Sequence, residues 1–231
     1  MAMKIICPIF LGLDEGFDNE LNELENSSCD MIEIRLDNLY EDAGKDTVIR
    51  GLDRLHAAQH PKPFIYTLRT EEEGGEAHMN DAEYADLTAR LYNYPGYVDV
   101  QLERLKRLDA KDFDMSRTFL SYHNFDETPD IFELSYIWQD MDEYHPKTEK
   151  ISVMPKNDRD VQVLLTSCRN HQTECEKAAI SMGEKGKISR ILGDLFGSNY
   201  SFASHITSSA PGQPSLEDMA FYRSAINNRG Q

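Results

Sequence analysis

Eight short runs rich in β-branched and aromatic residues recur along this 231-residue chain, separated by stretches in which apolar residues fall at helical spacing. The runs are Ile5 to Phe10, Met31 to Leu36, Phe64 to Arg69, Tyr97 to Leu102, Thr118 to His123, Lys150 to Met154, Ala178 to Met182 and Tyr200 to His205. They show little polar alternation, as parallel strands covered on both faces require. The helical period is clearest late in the chain, in Val161, Leu164, Leu165 and Cys168, then Ile188, Ile191, Leu192 and Leu195, then Met219, Tyr222 and Ile226. Asn80 with Glu83, and Ser215 with Asp218, have capping-box spacing, and Gly197 stands where a left-handed residue closes a helix. Eight strands alternating with eight helices, and no Pro/Gly-rich linker, predict an α/β chain forming a single (β/α)8 TIM barrel domain over residues 1–231, with no N-terminal hairpin ahead of its first strand. An open doubly wound sheet is the alternative. It normally carries a Gly-rich phosphate loop after its first strand, and Phe10-Leu11-Gly12-Leu13-Asp14-Glu15-Gly16 matches that poorly.

Composition narrows the function classes. With 40% hydrophobic and 28% charged residues and no long apolar run, the chain reads as a soluble globular protein with neither a membrane span nor a signal peptide. Cys7, Cys29, Cys168 and Cys175 lack paired close spacing, so no zinc site or disulfide framework is expected, and a reducing cytoplasm fits. The formal net charge of -17 argues against a nucleic-acid partner, and an anionic substrate would have to be met by a local cluster of arginines.

In a barrel, chemistry belongs to the C-terminal ends of the strands and the loops that follow. Lys150 opens the apolar run Lys150-Ile151-Ser152-Val153-Met154-Pro155, and burying an ammonium without a partner is costly enough that such amines tend to shed their proton and become nucleophiles. The plain alternative is that Lys150 sits just outside the strand with its head in water. The other strand-top candidates are Glu33, Arg35, Arg69, Glu73, His123, Arg190, Ser209 and Gln213. Each has a structural explanation of its own: Glu33 and Arg35 share a strand face and could form an internal ion pair, and a lone histidine is more often structural. Their recurrence on strand tops is what shifts the balance, because so many ionisable groups are costly in a barrel used only as scaffold.

Two connecting segments add to the set. Met182-Gly183-Glu184-Lys185-Gly186-Lys187-Ile188-Ser189-Arg190 places two glycines before a helical run, a turn that could cradle an anion, with Arg190 read at the start of the helix as a carboxylate clamp. Ser208-Ser209-Ala210-Pro211-Gly212-Gln213-Pro214 is rich in turn formers and is read as a lid.

Taken in order, Glu33-Ile34-Arg35-Leu36-Asp37, Thr67-Leu68-Arg69-Thr70, Glu73-Gly74-Gly75-Glu76, Ser121-Tyr122-His123-Asn124-Phe125, Lys150 through Pro155, Met182-Gly183 through Ser189-Arg190, and Ser209 through Gln213 resemble the type I 3-dehydroquinate dehydratases, barrels of the class I aldolase superfamily. The resemblance implies a hydro-lyase of the shikimate pathway of aromatic amino-acid biosynthesis, converting 3-dehydroquinate to 3-dehydroshikimate and water. It further implies that Lys150 forms a Schiff base, that His123 is the general acid/base and that Glu73 orients it. Glu33, Arg35 and Arg69 would hold substrate hydroxyls, Arg190 the carboxylate, Ser209 and Gln213 the lid side, and Met182 and Phe202 the apolar wall. No metal or organic cofactor is implied, and a cytoplasmic homodimer with no membrane partner is expected. Two departures stand out: the first strand begins almost at once, where many relatives have a hairpin plugging the barrel floor, and Ile180 stands where some have methionine. A carbon–carbon-cleaving class I aldolase and a noncatalytic barrel that binds a hydroxy acid are the competing readings.

Overall fold

A computed structural model describes residues 3–206, 210 and 212–227. The strands are β1 (Lys4–Phe10), β2 (Met31–Arg35), β3 (Phe64–Thr67), β4 (Tyr97–Gln101), β5 (Thr118–Asn124), β6 (Thr148–Val153), β7 (Glu176–Ser181) and β8 (Tyr200–Phe202). All neighbours pair in parallel, in the order β7-β6-β5-β4-β3-β2-β1-β8. The two ends of that order meet through the residues before β8: Asn199 N donates to Lys177 O at 2.6 Å, Asn199 Oδ1 accepts from Lys177 N at 2.8 Å, and Ser198 Oγ accepts from Ala179 N at 3.1 Å. The fold is the expected (β/α)8 barrel.

The helices are α1 (Glu15–Glu25), α2 (Asp37–Ala43), α3 (Lys45–Ala57), α4 (Asp81–Leu91), α5 (Leu102–Leu105), α6 (Ile131–Asp142), α7 (Asp158–Asn170), α8 (Gly183–Leu192) and α9 (Leu216–Asn227). They do not alternate one to one with the strands, since the β2–β3 crossover carries both α2 and α3 and the β4–β5 crossover only the single turn of α5. The expected caps are present. Asn80 and Glu83 form a reciprocal capping box on α4, Asp218 N donates to Ser215 Oγ at α9, and Gly197 has φ 88°, although it closes a 3-10 turn rather than an α-helix.

On α7 the expected face is buried, with Val161, Leu164, Leu165 and Cys168 turned to the barrel. On α8 it is not: Ile188 is exposed, as is Leu195 in the 3-10 turn that follows, and the buried positions are Gly186, Ser189 and Arg190. The cause is close approach. A Cβ on Gly186 would fall 2.1 Å from Ser181 O, and Ser189 Oγ accepts from Ser181 N at 2.9 Å, so this helix seats small and polar residues on β7. Gly186 is therefore a packing glycine rather than part of an anion cradle. On α9, Met219 is buried and Tyr222 exposed, while the Ile226 side chain lies outside the described residues.

Strand register links the inward positions around the barrel: Ile6 with Met31 and Phe202, Glu33 with Ile65, Ile65 with Tyr97, Asp99 with Phe119, Ser121 with Lys150, and Lys150 with Ala178. Their chemistry separates by height. The lower layer is apolar and built from Ile6, Met31, Ile65, Phe119, Ala178 and Tyr200, with the Phe119 ring edge-on to Tyr97 at 5.5 Å and tilted against Tyr200 at 5.0 Å between ring centroids. Beneath it Lys4 Nζ stands 5.3 Å from the Tyr200 ring, and the Tyr200 hydroxyl donates to Glu176. This aromatic layer covers the floor of the barrel. Above it the inward positions turn polar.

Candidate active site

The polar layer begins at Lys150. Strand β6 starts at Thr148, two residues earlier than its apolar run suggests, so Lys150 lies within the strand and is 4% exposed. Its head does not reach water. Nζ donates to Asp99 Oδ2 at 3.1 Å, stands 3.8 Å from Glu33 Oε1 and lies 4.7 Å from the centre of the Phe202 ring. The buried amine thus has two carboxylates and an aromatic face as its setting, rather than the bare apolar environment the sequence suggested.

Arg69, just beyond the end of β3, is the hub of the layer. Its guanidinium reaches Asp99 Oδ1 at 2.9 Å, Glu73 Oε2 at 2.6 Å and Ser121 Oγ at 3.1 Å. Burial works against the Asp99 carboxylate, yet Arg69 and Lys150 beside it, with the Ser121 hydroxyl donating at 2.7 Å, hold it below the usual aspartate range. Asp99 was not among the sequence candidates. Its signal was a carboxylate in the middle of the apolar strand Tyr97-Val98-Asp99-Val100, where only an inward partner makes it tolerable.

His123 sits near the end of β5 with its Nδ1 2.8 Å from Glu73 Oε2 and 3.2 Å from Arg69 Nη1. The loop after β3 that delivers Glu73 is a 3-10 turn, Glu71–Glu73, and it returns so tightly that Glu73 N and Gly75 N both donate to Thr70 O, at 3.0 and 2.9 Å. Burial pushes the Glu73 carboxyl up to about 7 against the pull of Arg69. Burial, followed by the charges of Arg69, Lys150 and Arg35, holds the imidazole well below its ordinary value. With Nδ1–H donating to the Glu73 carboxylate, a tautomer assigned from these partners, the free Nε2 is a neutral acceptor.

Glu33 and Arg35 do not pair with each other. Glu33 Oε1 accepts from Thr67 Oγ1 at 2.9 Å, while Arg35 makes a two-pronged bond to Asp37 at 2.8 and 2.7 Å, a carboxylate from the start of α2. Arg190 belongs to the last turn of α8, not its start, and reaches back over the β7–β8 seam. It is 1% exposed, and among the described residues Nη1 meets only Phe202 O at 3.5 Å, Nε has no hydrogen-bond partner and the side chain forms no ion pair. Burial alone presses its guanidinium down to about 10. A buried guanidinium with no carboxylate partner among the described residues is suited to an anionic ligand.

Glu33, Arg35, Arg69, Glu73, His123, Lys150 and Arg190 line one pocket at the barrel mouth together with Met182, Phe202 and Gln213. Of the sequence candidates only Ser209 is not placed, since it lies outside the described residues. The pocket adds Gly74, Phe125, Ser152, Ile180 and Ala210 to the expected lining. The segment carrying Gln213 is fixed at its base by a Ser204–Ser215 bridge, and Gly212, with φ 73°, packs where a Cβ would come within 2.1 Å of Gly183 O. Among the described residues no helix is long and apolar enough to cross a membrane.

An eight-stranded parallel barrel with a strand-borne buried lysine, a histidine–carboxylate pair and an uncompensated arginine at one mouth defines a class of barrel suited to carbonyl chemistry on a small anion. The chain belongs to the type I 3-dehydroquinase family, whose model it matches over residues 5–228. It is 35% identical over 232 residues to the 3-dehydroquinate dehydratase of Streptococcus thermophilus, covering 97% of this chain and 99% of the relative, and 36% identical over 224 residues to that of Streptococcus mutans, covering 94% and 96%. Among solved structures it is similar to the type I 3-dehydroquinate dehydratase of Clostridium difficile, crystallised with covalently modified comenic acid, at TM-score 0.83 and 27% identity over 98% of this chain and 93% of that one. The 3-dehydroquinate dehydratase of Geobacillus kaustophilus matches at TM-score 0.82 and 26% identity, covering 100% and 93%.

Proposed function

We propose that this protein is a 3-dehydroquinate dehydratase, a hydro-lyase converting 3-dehydroquinate to 3-dehydroshikimate and water in the shikimate pathway, through an imine on Lys150. The observation that carries the reading is the single pocket in which a buried lysine amine, the His123–Glu73 pair and the uncompensated Arg190 converge. Arg190 holds the substrate carboxylate, Glu33, Arg35 and Arg69 its hydroxyls, and Met182 and Phe202 its apolar face. The amine of Lys150 adds to the ketone, and loss of one water gives the protonated imine, with Asp99 and Glu33 the nearest bases to the reacting nitrogen.

The imine draws electrons from the adjacent C–H bond. His123 Nε2 takes that proton, the resulting enamine expels the hydroxyl on the next carbon, and the same imidazole returns the proton so that water departs. A second water then hydrolyses the imine and frees Lys150, so one water is released over the cycle and the chemistry closes on amine, imidazole and water. Ser209 and Gln213 cover the substrate from the lid side. A homodimer in the cytoplasm completes the proposal, with the exposed Ile188, Leu195 and Phe221 of the α8 and α9 region as apolar surface available to a second copy.

The test is ultraviolet absorbance on mixing the protein with 3-dehydroquinate, because the product is a conjugated enone and the substrate is not. A rise that disappears in Lys150→Ala supports the proposal. Saturable binding without a rise points to a noncatalytic barrel, and no binding excludes this substrate.

A further inference from the structure

Phe125 follows β5 by one residue and stands two positions beyond His123, so the strand period turns both side chains toward the barrel mouth. The chain bends immediately afterwards. Asn124 Oδ1 accepts from Asp126 N and Glu127 N, each at 2.9 Å, a side-chain turn that ends the strand and folds Phe125 back over the pocket. There its ring lies nearly parallel to the His123 imidazole, at 6.3 Å between centroids and 15° between planes.

The other edge of the Phe125 ring rests on Gly74. A Cβ there would come 2.5 Å from Cζ, 2.6 Å from Cε2 and 3.1 Å from Cδ2 of Phe125, and Gly74 has φ 72°, a conformation that favours glycine. The dipeptide Glu73-Gly74 therefore grips the histidine twice: Glu73 fixes Nδ1 in the imidazole plane, and the bare face of Gly74 seats the ring that covers the imidazole. Phe125 is itself 38% exposed, whereas the His123 side chain beneath it is only 8% exposed.

We propose that Phe125, seated on Gly74, is a positioning residue for His123: it holds the plane of the imidazole and keeps bulk water from its outer face. The inference rests on the proposed role of His123 in proton transfer. Removing the ring would hydrate the imidazole and free it to rotate about its Glu73 bond, which affects the chemical step and leaves the groups proposed to bind substrate untouched.

The experiment compares Phe125→Ala with the parent protein by steady-state kinetics and by NMR titration of the His123 ring carbons, a readout that needs no turnover. The proposal expects kcat to fall on the order of tenfold with KM within about twofold, a fraction of the factor general acid–base catalysis supplies. It also expects the His123 titration to move up toward the ordinary histidine range. Phe125→Tyr should recover at least half of the lost kcat, and Gly74→Ala, which displaces the ring without removing it, should shift the His123 titration in the same direction as Phe125→Ala. An unchanged His123 titration, or a kcat within about twofold of the parent, overturns the proposal. Absence of dehydration in the parent protein would instead overturn the functional reading beneath it, and the titration would still decide whether Phe125 covers the histidine.

Discussion

Lys150 Nζ and Asp99 Oδ2 stand 3.1 Å apart at the centre of the barrel, both inward-facing and both nearly inaccessible to water. The second Asp99 oxygen bonds Arg69, which in turn bonds the Glu73 that holds His123. One carboxylate on β4 therefore couples the amine to the Glu73–His123 pair through a single intermediate side chain, Arg69, and the site behaves as one charge network rather than as separate residues.

Asp99→Asn should be costly twice over. Removing one partner of a buried ion cluster leaves Lys150 and Arg69 undercompensated, at about 3–5 kcal/mol. Because the folded carboxyl is held below its unfolded value, the stability it contributes is present above about pH 4 and is lost as pH falls further. Denaturant unfolding of both proteins at pH 7 and pH 3 should show a large difference at the first that narrows by up to about 1 kcal/mol at the second. Activity should fall by on the order of 100-fold, as expected for lost electrostatic support in a water-poor site.

The Glu73–His123 pair predicts the acid limb of the rate profile. As pH falls through about 7 the Glu73 carboxyl takes up a proton and loses the negative charge that, beside Nδ1, supports the imidazolium formed when Nε2 takes a proton. The rate should decline below that pH. Glu73→Gln keeps an oxygen for Arg69 and for Nδ1–H but removes the negative charge and its titration, so kcat should drop by on the order of 100-fold and the limb near 7 should vanish. Folding gives an independent check. A carboxyl raised in the folded state contributes stability that is full below its unfolded value near 4.5 and lost as pH rises through about 7, so Glu73→Gln should gain on the parent protein between pH 5 and pH 8.

Arg190→Met should separate stability from binding. Replacing a buried, uncompensated guanidinium by an apolar chain of similar length is expected to stabilise the unliganded protein, by about 1–3 kcal/mol. The same change removes the carboxylate partner, so KM should rise by on the order of 100-fold and the shift of Tm with added substrate should disappear. Thermal unfolding with and without 3-dehydroquinate reads both.

The floor makes a prediction of its own. Phe119 is buried between Tyr97 and Tyr200, and Phe119→Ala should cost about 3–5 kcal/mol, measured by urea unfolding.

All eight strands were readable from their apolar runs, because a parallel sheet covered on both faces leaves little choice of residue. The helices were less so. On α8 the apolar Ile188 faces outward, since contact with β7 is so close at Gly186 and Ser189 that size rather than hydrophobicity sets the inner face. Within the site, Lys150 and His123 could be found by residue type on the strands, Glu73 in the loop after β3 and Arg190 in the helix after β7. Asp99 and the partners of Arg35 and Glu33 could not, because pairing across a barrel depends on register and shear that no local pattern encodes. Phe125 was hidden for a related reason: its role follows from Gly74, which is remote in sequence and meets it only over the mouth.

The most direct measurement is borohydride reduction during turnover with 3-dehydroquinate, followed by intact-mass analysis and peptide mapping. The account predicts one substrate-derived adduct per chain, located on the peptide containing Lys150, retained in His123→Ala and absent in Lys150→Ala. An adduct that persists in Lys150→Ala, or turnover in the parent protein that borohydride neither traps nor inactivates, would contradict it.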